Sequence, residues 1–130
     1  MNKEIISTSQ APKAIGPYSQ AVKVGGMIFT SGQIGLHPES MTVVEGGIED
    51  QTRQVMTNLG QVLKEAGAGF DDVVKTTCYL SDMDNFKAFN MVYASFFDES
   101  TAPARATVAV KTLPLGVLVE VDAVAVLQER

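Results

Sequence analysis

The chain has 130 residues, and at about 100–200 residues per domain it is read as a single domain, residues 1–130. A composition that is 45% apolar and 19% charged excludes a disordered or low-complexity chain. Ten Lys and Arg against fifteen Asp and Glu give a net charge of -5, and the cations are scattered without a run, which argues against a nucleic-acid-binding surface.

A short strand is expected near Glu4–Ser7. Residues 18–34 then read YSQAVKVGGMIFTSGQI, two β-rich runs split by Gly25-Gly26, as in a two-residue hairpin whose central residues take positive φ. Pairing Val24 with Met27 puts Gln20 opposite Ser31 and Tyr18 opposite Gln33. These four would form a polar end on the face that also carries Val22, Val24, Met27 and Phe29.

Segment 48–66 carries Ile48, Val55, Leu59, Val62, Leu63 and Ala66 at helical spacing, with acidic residues in its first turn and Gly67 at the position of a C′ glycine. Val73 to Leu80 is β-branched, apolar and bounded by polar residues, and is predicted as a buried strand. A second helix is expected over Met83 to Phe97, with Asp82 or Asp84 as N-cap. Its stripe Phe86, Asn90, Tyr93, Phe97 places an asparagine where the pattern calls for an apolar side chain, and that amide must find partners.

Two strands close the chain, Arg105–Val110 and Val117–Leu127. If they form a hairpin, with Lys111 opposite Gly116, then Thr107 faces Glu120 and Arg105 faces Asp122, leaving a cation and two carboxylates on one side. The order β-ββ-α-β-α-ββ predicts an α+β two-layer sandwich, a six-stranded mixed sheet with two helices on one face. The other face keeps apolar residues that no remaining element covers, so a homo-oligomer formed through it is expected.

Cys78 is the single cysteine and points to a reducing compartment. There is no apolar leader-like start and no apolar stretch near the roughly 18 residues of a membrane span, so a soluble, cytoplasmic protein without membrane partners is expected. One His and one Cys leave too few ligands for a transition metal, and no metal is expected. His37 reads as an exposed loop residue and Cys78 as inert core.

The stretches Gly16-Pro17-Tyr18-Ser19-Gln20-Ala21, Thr30-Ser31-Gly32-Gln33-Ile34, Pro103-Ala104-Arg105-Ala106 and Val119-Glu120-Val121 closely resemble the RidA family, also called YjgF or reactive intermediate deaminase. The resemblance spans essentially the whole chain. It implies a chorismate-mutase-like fold assembled as a homotrimer with clefts between subunits. It also implies hydrolysis of 2-enamino and 2-imino acids, such as 2-iminobutanoate and 2-iminopropanoate, to 2-keto acids and ammonia, without a cofactor. Position by position, Arg105 resembles the substrate-carboxylate anchor and Glu120 the acid that orients the attacking water. Tyr18, Ser31 and Asn90 resemble cleft-lining residues, and Gly32 lies in the loop that approaches the ligand. Thr107 stands where many members have Cys, which is harmless if the position acts through its backbone.

These residue types suit the reaction. A 2-imino acid needs a planar fork of N–H donors for its carboxylate and a placed water for its C=N carbon. Taken alone, Arg105 also reads as an ion-pair residue beside Asp122, and Glu120 as an exposed strand position. The competing functions are a non-catalytic sensor of 2-keto acids or related carboxylates in the same cleft and a protein-interaction module. Some relatives carry ribonuclease labels, but the acidic charge and the lone His argue against RNA cleavage.

Overall fold

The computed structural model describes residues 2–128. In chain order the elements are β1 (Lys3–Ile6), β2 (Ala21–Val24), β3 (Met27–Thr30), α1 (Ile48–Glu65), β4 (Val73–Leu80), α2 (Phe86–Ala94), β5 (Ala104–Ala109) and β6 (Val119–Val126). The strands form one six-stranded sheet in the order β1-β2-β3-β6-β4-β5, with only β4 and β5 parallel. The expected α+β architecture is therefore present, with both helices packed on one face.

Helix α1 forms where its apolar spacing predicts. The Asp50 carboxylate accepts from the Gly47 N–H at its start, and Gly67 ends it at a φ of 86°. Val55, Met56, Leu59, Val62 and Leu63 of α1 and Phe89 of α2 are fully buried against Ile28, Cys78, Leu80, Val119 and Val121 of the sheet. Helix α2 is shorter than predicted. Asp82 caps a 3-10 turn over Met83–Asn85, accepting from the Asp84 N–H, and the α-helix proper runs from Phe86 to Ala94.

The predicted hairpin of the last two strands does not form. β5 runs parallel to β4, with Thr76 opposite Arg105 and Cys78 opposite Thr107, while β6 inserts between β3 and β4. The reason lies in the side chains. Val119, Val121, Ala123 and Ala125 of β6 are all buried and suit a central strand, whereas Ala104, Arg105, Val108 and Ala109 of β5 are exposed and suit an edge. The connection β4-α2-β5 is a parallel crossover whose helix covers the sheet.

The β2–β3 hairpin keeps the predicted register, Val24 opposite Met27 and Val22 opposite Phe29, although of its two glycines only Gly25 takes positive φ, 59°. The predicted polar end is rearranged. β3 pairs with β6 up to Phe29 opposite Val124, and the chain rejoins β6 at Gln33 opposite Val121, so three residues span two. This bulge at residues 30–32 reverses the facing of the residues beyond it, and Gln33 turns to the buried side instead of joining Phe29. Gln20 is also buried, its amide spent on the backbone of Thr8, Ala11 and Pro12. On the uncovered face Ile5, Met27, Phe29 and Val108 remain exposed.

Candidate functional site

The predicted site residues fall into two groups. The first lies at the β5 edge, on the helical side. Thr76 and Ala123, register partners on this side, are buried under the helices, and Arg105, opposite Thr76, projects the same way over α2. Its Nη1 donates to Asn90 Oδ1 at 2.6 Å, and its Cζ lies 4.8 Å from the Tyr93 ring centroid and 5.5 Å from that of Phe86. The asparagine in the apolar stripe thus finds its partner in the guanidinium. Tyr93 is fixed from behind by a buried 2.7 Å hydrogen bond between its hydroxyl and that of Thr76. Thr76 was not singled out from sequence, and Phe86 and Tyr93 were read there only as members of an apolar stripe.

Among the described residues Arg105 makes no ion pair. Asp122 lies on the opposite face, opposite Thr77, with its carboxylate 3.4 Å from the Tyr79 hydroxyl that donates to it. The simple salt bridge that the hairpin register suggested is absent. A hollow of about 710 Å³ lined by Asn90, Tyr93, Phe97, Pro103 and Arg105 leaves the remaining guanidinium N–H groups accessible. On the same side of the sheet Thr107, opposite Cys78, has its Oγ1 buried without a hydrogen-bond partner among the described residues; burial pushes the Cys78 thiol up to about 11, with Thr76 and Arg105 opposing the shift. A thiol so placed is inert at neutral pH.

The second group surrounds the bulge. Glu120, opposite Tyr79, lies on the uncovered side together with Asp122. Burial raises its carboxyl above the usual glutamate range, and the nearby Asp122 charge raises it further. Asp122 is itself raised by burial, with the Tyr79 hydrogen bond acting against the shift. Gly32 makes room for the Glu120 side chain, since a Cβ there would collide with the carboxylate. Ser31 donates its hydroxyl to the Ser19 carbonyl, tying the bulge to the segment that carries the half-exposed Tyr18. Tyr18, Ser31, Gly32 and Glu120 line one hollow of about 540 Å³. Its far wall is held by α1, where the buried Asn58 amide donates to the carbonyls of Leu36 and Ile34.

Within one chain, then, Arg105, Asn90 and Thr107 stand on the helical side of the sheet, and Glu120, Ser31, Gly32 and Tyr18 gather in a separate hollow. The expectation that Arg105 and Glu120 share a side is overturned, because it rested on a hairpin that β6 does not make. Among the described residues no three His, Cys, Asp or Glu side chains are grouped to hold a metal ion, and no helix is long and apolar enough to cross a membrane.

A two-layer α+β protein with polar groups on both faces of one mixed sheet is what the fold and these groups define. The family model described as endoribonuclease L-PSP matches residues 8–127. A RutC family protein of Synechocystis is 56% identical over 98% of both chains, and the 2-iminobutanoate/2-iminopropanoate deaminase of Mus musculus is 48% identical over 95% of this chain and 91% of its own. The crystal structure of E. coli TdcF with bound serine superposes with a TM-score of 0.90 at 40% identity, covering 96% of this chain and 99% of that one. The chain belongs to the endoribonuclease L-PSP family, the family also called RidA or YjgF.

Proposed function

We propose that this protein is a 2-iminobutanoate/2-iminopropanoate deaminase, a hydrolase that works as a homotrimer in the cytoplasm with its sites between subunits. The observation that carries the reading is an arginine held by neutral partners and, among the described residues, paired with no carboxylate. Asn90 and two aromatic rings orient Arg105 without neutralising it, which leaves a planar fork for a substrate carboxylate. The deaminase name of the mouse relative and the serine held by TdcF support a small amino-acid-like substrate.

Arg105 and Glu120 stand on opposite sides of one sheet, so a single small molecule meets both when a second copy brings its own half to the first. The exposed apolar face of Ile5, Met27, Phe29 and Val108 supplies a surface for that assembly. In the assembled site Arg105 and Asn90 hold the carboxylate end, with Thr107 beside them. Glu120 of the neighbouring copy, with Tyr18, Ser31 and Gly32, holds a water over the C=N carbon.

The water adds to that carbon as Glu120 takes its proton, the C=N electron pair moves to nitrogen, and a tetrahedral carbinolamine forms. Glu120 passes that proton to nitrogen and then relays the hydroxyl proton of the carbinolamine to nitrogen as well, so the C–N bond breaks, ammonia leaves and the hydroxyl oxygen closes to the carbonyl of the 2-keto acid. Imino acid plus water gives keto acid plus ammonia, so the reaction balances with water alone and calls for no cofactor. A carboxyl raised by burial suits this role, because it gives up as well as takes the proton.

The test is ammonia release from freshly generated 2-iminobutanoate. Wild-type protein accelerates it, and Arg105→Ala, folded and assembled, does not. A folded wild-type assembly that leaves the spontaneous rate unchanged removes the deaminase reading.

A further inference from the structure

Helix α1 buries two amides among its apolar side chains. Gln51 and Asn58, seven residues apart and so on one face of the helix, are 7% and 0% exposed, and the reaction above uses neither. Both spend their polar atoms on the chain around Glu120. Gln51 Oε1 accepts from the Leu118 N–H at 2.8 Å, two residues before Glu120. Asn58 Nδ2 donates to the carbonyls of Leu36 and Ile34 at 2.9 and 3.3 Å, and its Oδ1 accepts from Gln54 Nε2 at 2.8 Å.

These contacts fall where the sheet itself supplies none. Segment 33–36 meets β6 in a single bridge, Gln33 with Val121, joined by backbone hydrogen bonds of 2.9 and 3.2 Å. Beyond it, among the described residues, 34–36 and 118–120 share no backbone hydrogen bond, although Ile34, Leu36 and Glu120 all line the hollow. Helix α1 fills the interval. Gly35 lies so close to it that a Cβ there would sit 3.1 Å from the Gln51 carbonyl oxygen, while the Gln51 side chain reaches across to Leu118. Backbone groups held this way are costly to strand, so the two amides keep both walls of the hollow at one separation.

We infer that Gln51 and Asn58 are positioning residues for Glu120: they fix the spacing between segment 34–36 and the start of β6, and with it the depth at which the Glu120 carboxylate is held. Neither amide touches the substrate, and both act through the backbone of the segments they grip. The inference rests on the reading that Glu120 handles the proton of the attacking water.

The test reads the Glu120 carboxyl directly. Wild-type protein, Gln51→Met and Asn58→Leu are labelled with carbon-13 at the glutamate carboxyl and titrated by NMR, the Glu120 signal being the one lost in Glu120→Gln. Each substitution keeps a side chain of similar size and deletes the hydrogen bonds. Burial is the larger cause that raises Glu120, so a wall that gives way admits water, and the Glu120 midpoint falls toward the ordinary glutamate range in both variants. The other titratable groups on its side of the sheet or in its hollow, Asp122, Tyr79, Lys75, Tyr18 and Lys13, are unchanged, as is Arg105 of a neighbouring copy. In turnover of 2-iminobutanoate kcat falls about tenfold while KM stays within about twofold, because Arg105 and Asn90 hold the carboxylate end from the other side of the sheet. Leu63→Ala, which empties a fully buried site further along α1, leaves the midpoint and kcat at their wild-type values.

A midpoint that is unmoved or raised in either variant that folds and assembles overturns the inference, as does an equal fall in Leu63→Ala, since general loosening of the helix layer then suffices. So does loss of the folded assembly in both variants, seen by circular dichroism and sedimentation, because the amides then serve folding alone. Wild-type kcat in both variants of an active enzyme also counts against it. A falling midpoint in a protein that hydrolyses no imine upholds the positioning of Glu120 and removes the deaminase reading alone.

Discussion

Replacing Tyr93 by Phe tests how Arg105 is held. The substitution keeps the ring that lies 4.8 Å below the guanidinium and deletes only the hydroxyl that meets Thr76 at 2.7 Å. Thr76 is fully buried, so no water replaces the lost partner, and an orphaned buried hydroxyl costs about 1–3 kcal/mol. Thr76→Val strands the Tyr93 hydroxyl in the same way and costs a similar amount. In the double variant neither partner remains to be stranded, so its loss falls short of the sum by about 1 kcal/mol or more. Urea unfolding of all four proteins at one fixed concentration reads these values, because assembly makes apparent stability depend on concentration. Activity follows a different order. The ring survives in Tyr93→Phe, so KM for 2-iminobutanoate rises by less than about threefold, whereas Tyr93→Leu also forfeits a cation–π contact worth about 0.5–1 kcal/mol and raises KM further. Additive stability losses, or equal KM values for the Tyr93→Phe and Tyr93→Leu variants, would falsify the account of Tyr93 and Thr76 as the support beneath Arg105.

Four further outcomes rest on the same structure. The carboxylate form of Glu120 is lost as pH falls through a value raised chiefly by burial, so kcat/KM declines on the acid side above the ordinary glutamate range. Asp122→Asn removes the neighbouring negative charge that also raises Glu120, and the acid limb of the pH–rate profile moves to lower pH; an unmoved or upward-shifted limb contradicts the assignment. Gly32→Ala forces the Glu120 carboxylate aside, and kcat falls on the order of tenfold to a hundredfold in a protein whose thermal unfolding is little changed. Phe89→Ala empties a fully buried site between the rings of Phe86 and Tyr93, at centroid distances of 6.4 and 5.4 Å, and lowers unfolding free energy by about 3–5 kcal/mol in urea titrations.

Helix α1, strand β4 and the β2–β3 register follow from patterns that are complete within one segment. The 3.6-residue spacing of Val55, Leu59, Val62 and Leu63 and the β-branched run from Val73 to Leu80 needed no distant partner to be read. The candidate site residues were legible through short motifs, Pro103-Ala104-Arg105-Ala106 and Val119-Glu120-Val121 among them, and the asparagine in the α2 stripe announced its need for a partner. Which partner it found was not legible.

That choice belongs to strand order. A sequence states which residues alternate along a strand, but the identity of the neighbouring strand depends on competition among all strands for the buried centre of the sheet. β6 won that place because its inward side chains are uniformly apolar and small enough to lie under two helices, and β5, carrying Arg105, was left at the edge. One extra residue at 30–32 then reversed the facing of Gln33, an effect that no alternation pattern contains, because a bulge is a property of two paired strands. The amino-acid sequence by itself determined the main elements and the fold class, and it pointed to the residues proposed to carry the chemistry. Tertiary structure alone decided that Arg105 and Glu120 stand on opposite sides of one sheet, since facing is set by pairing between strands and not by the order of residues within one.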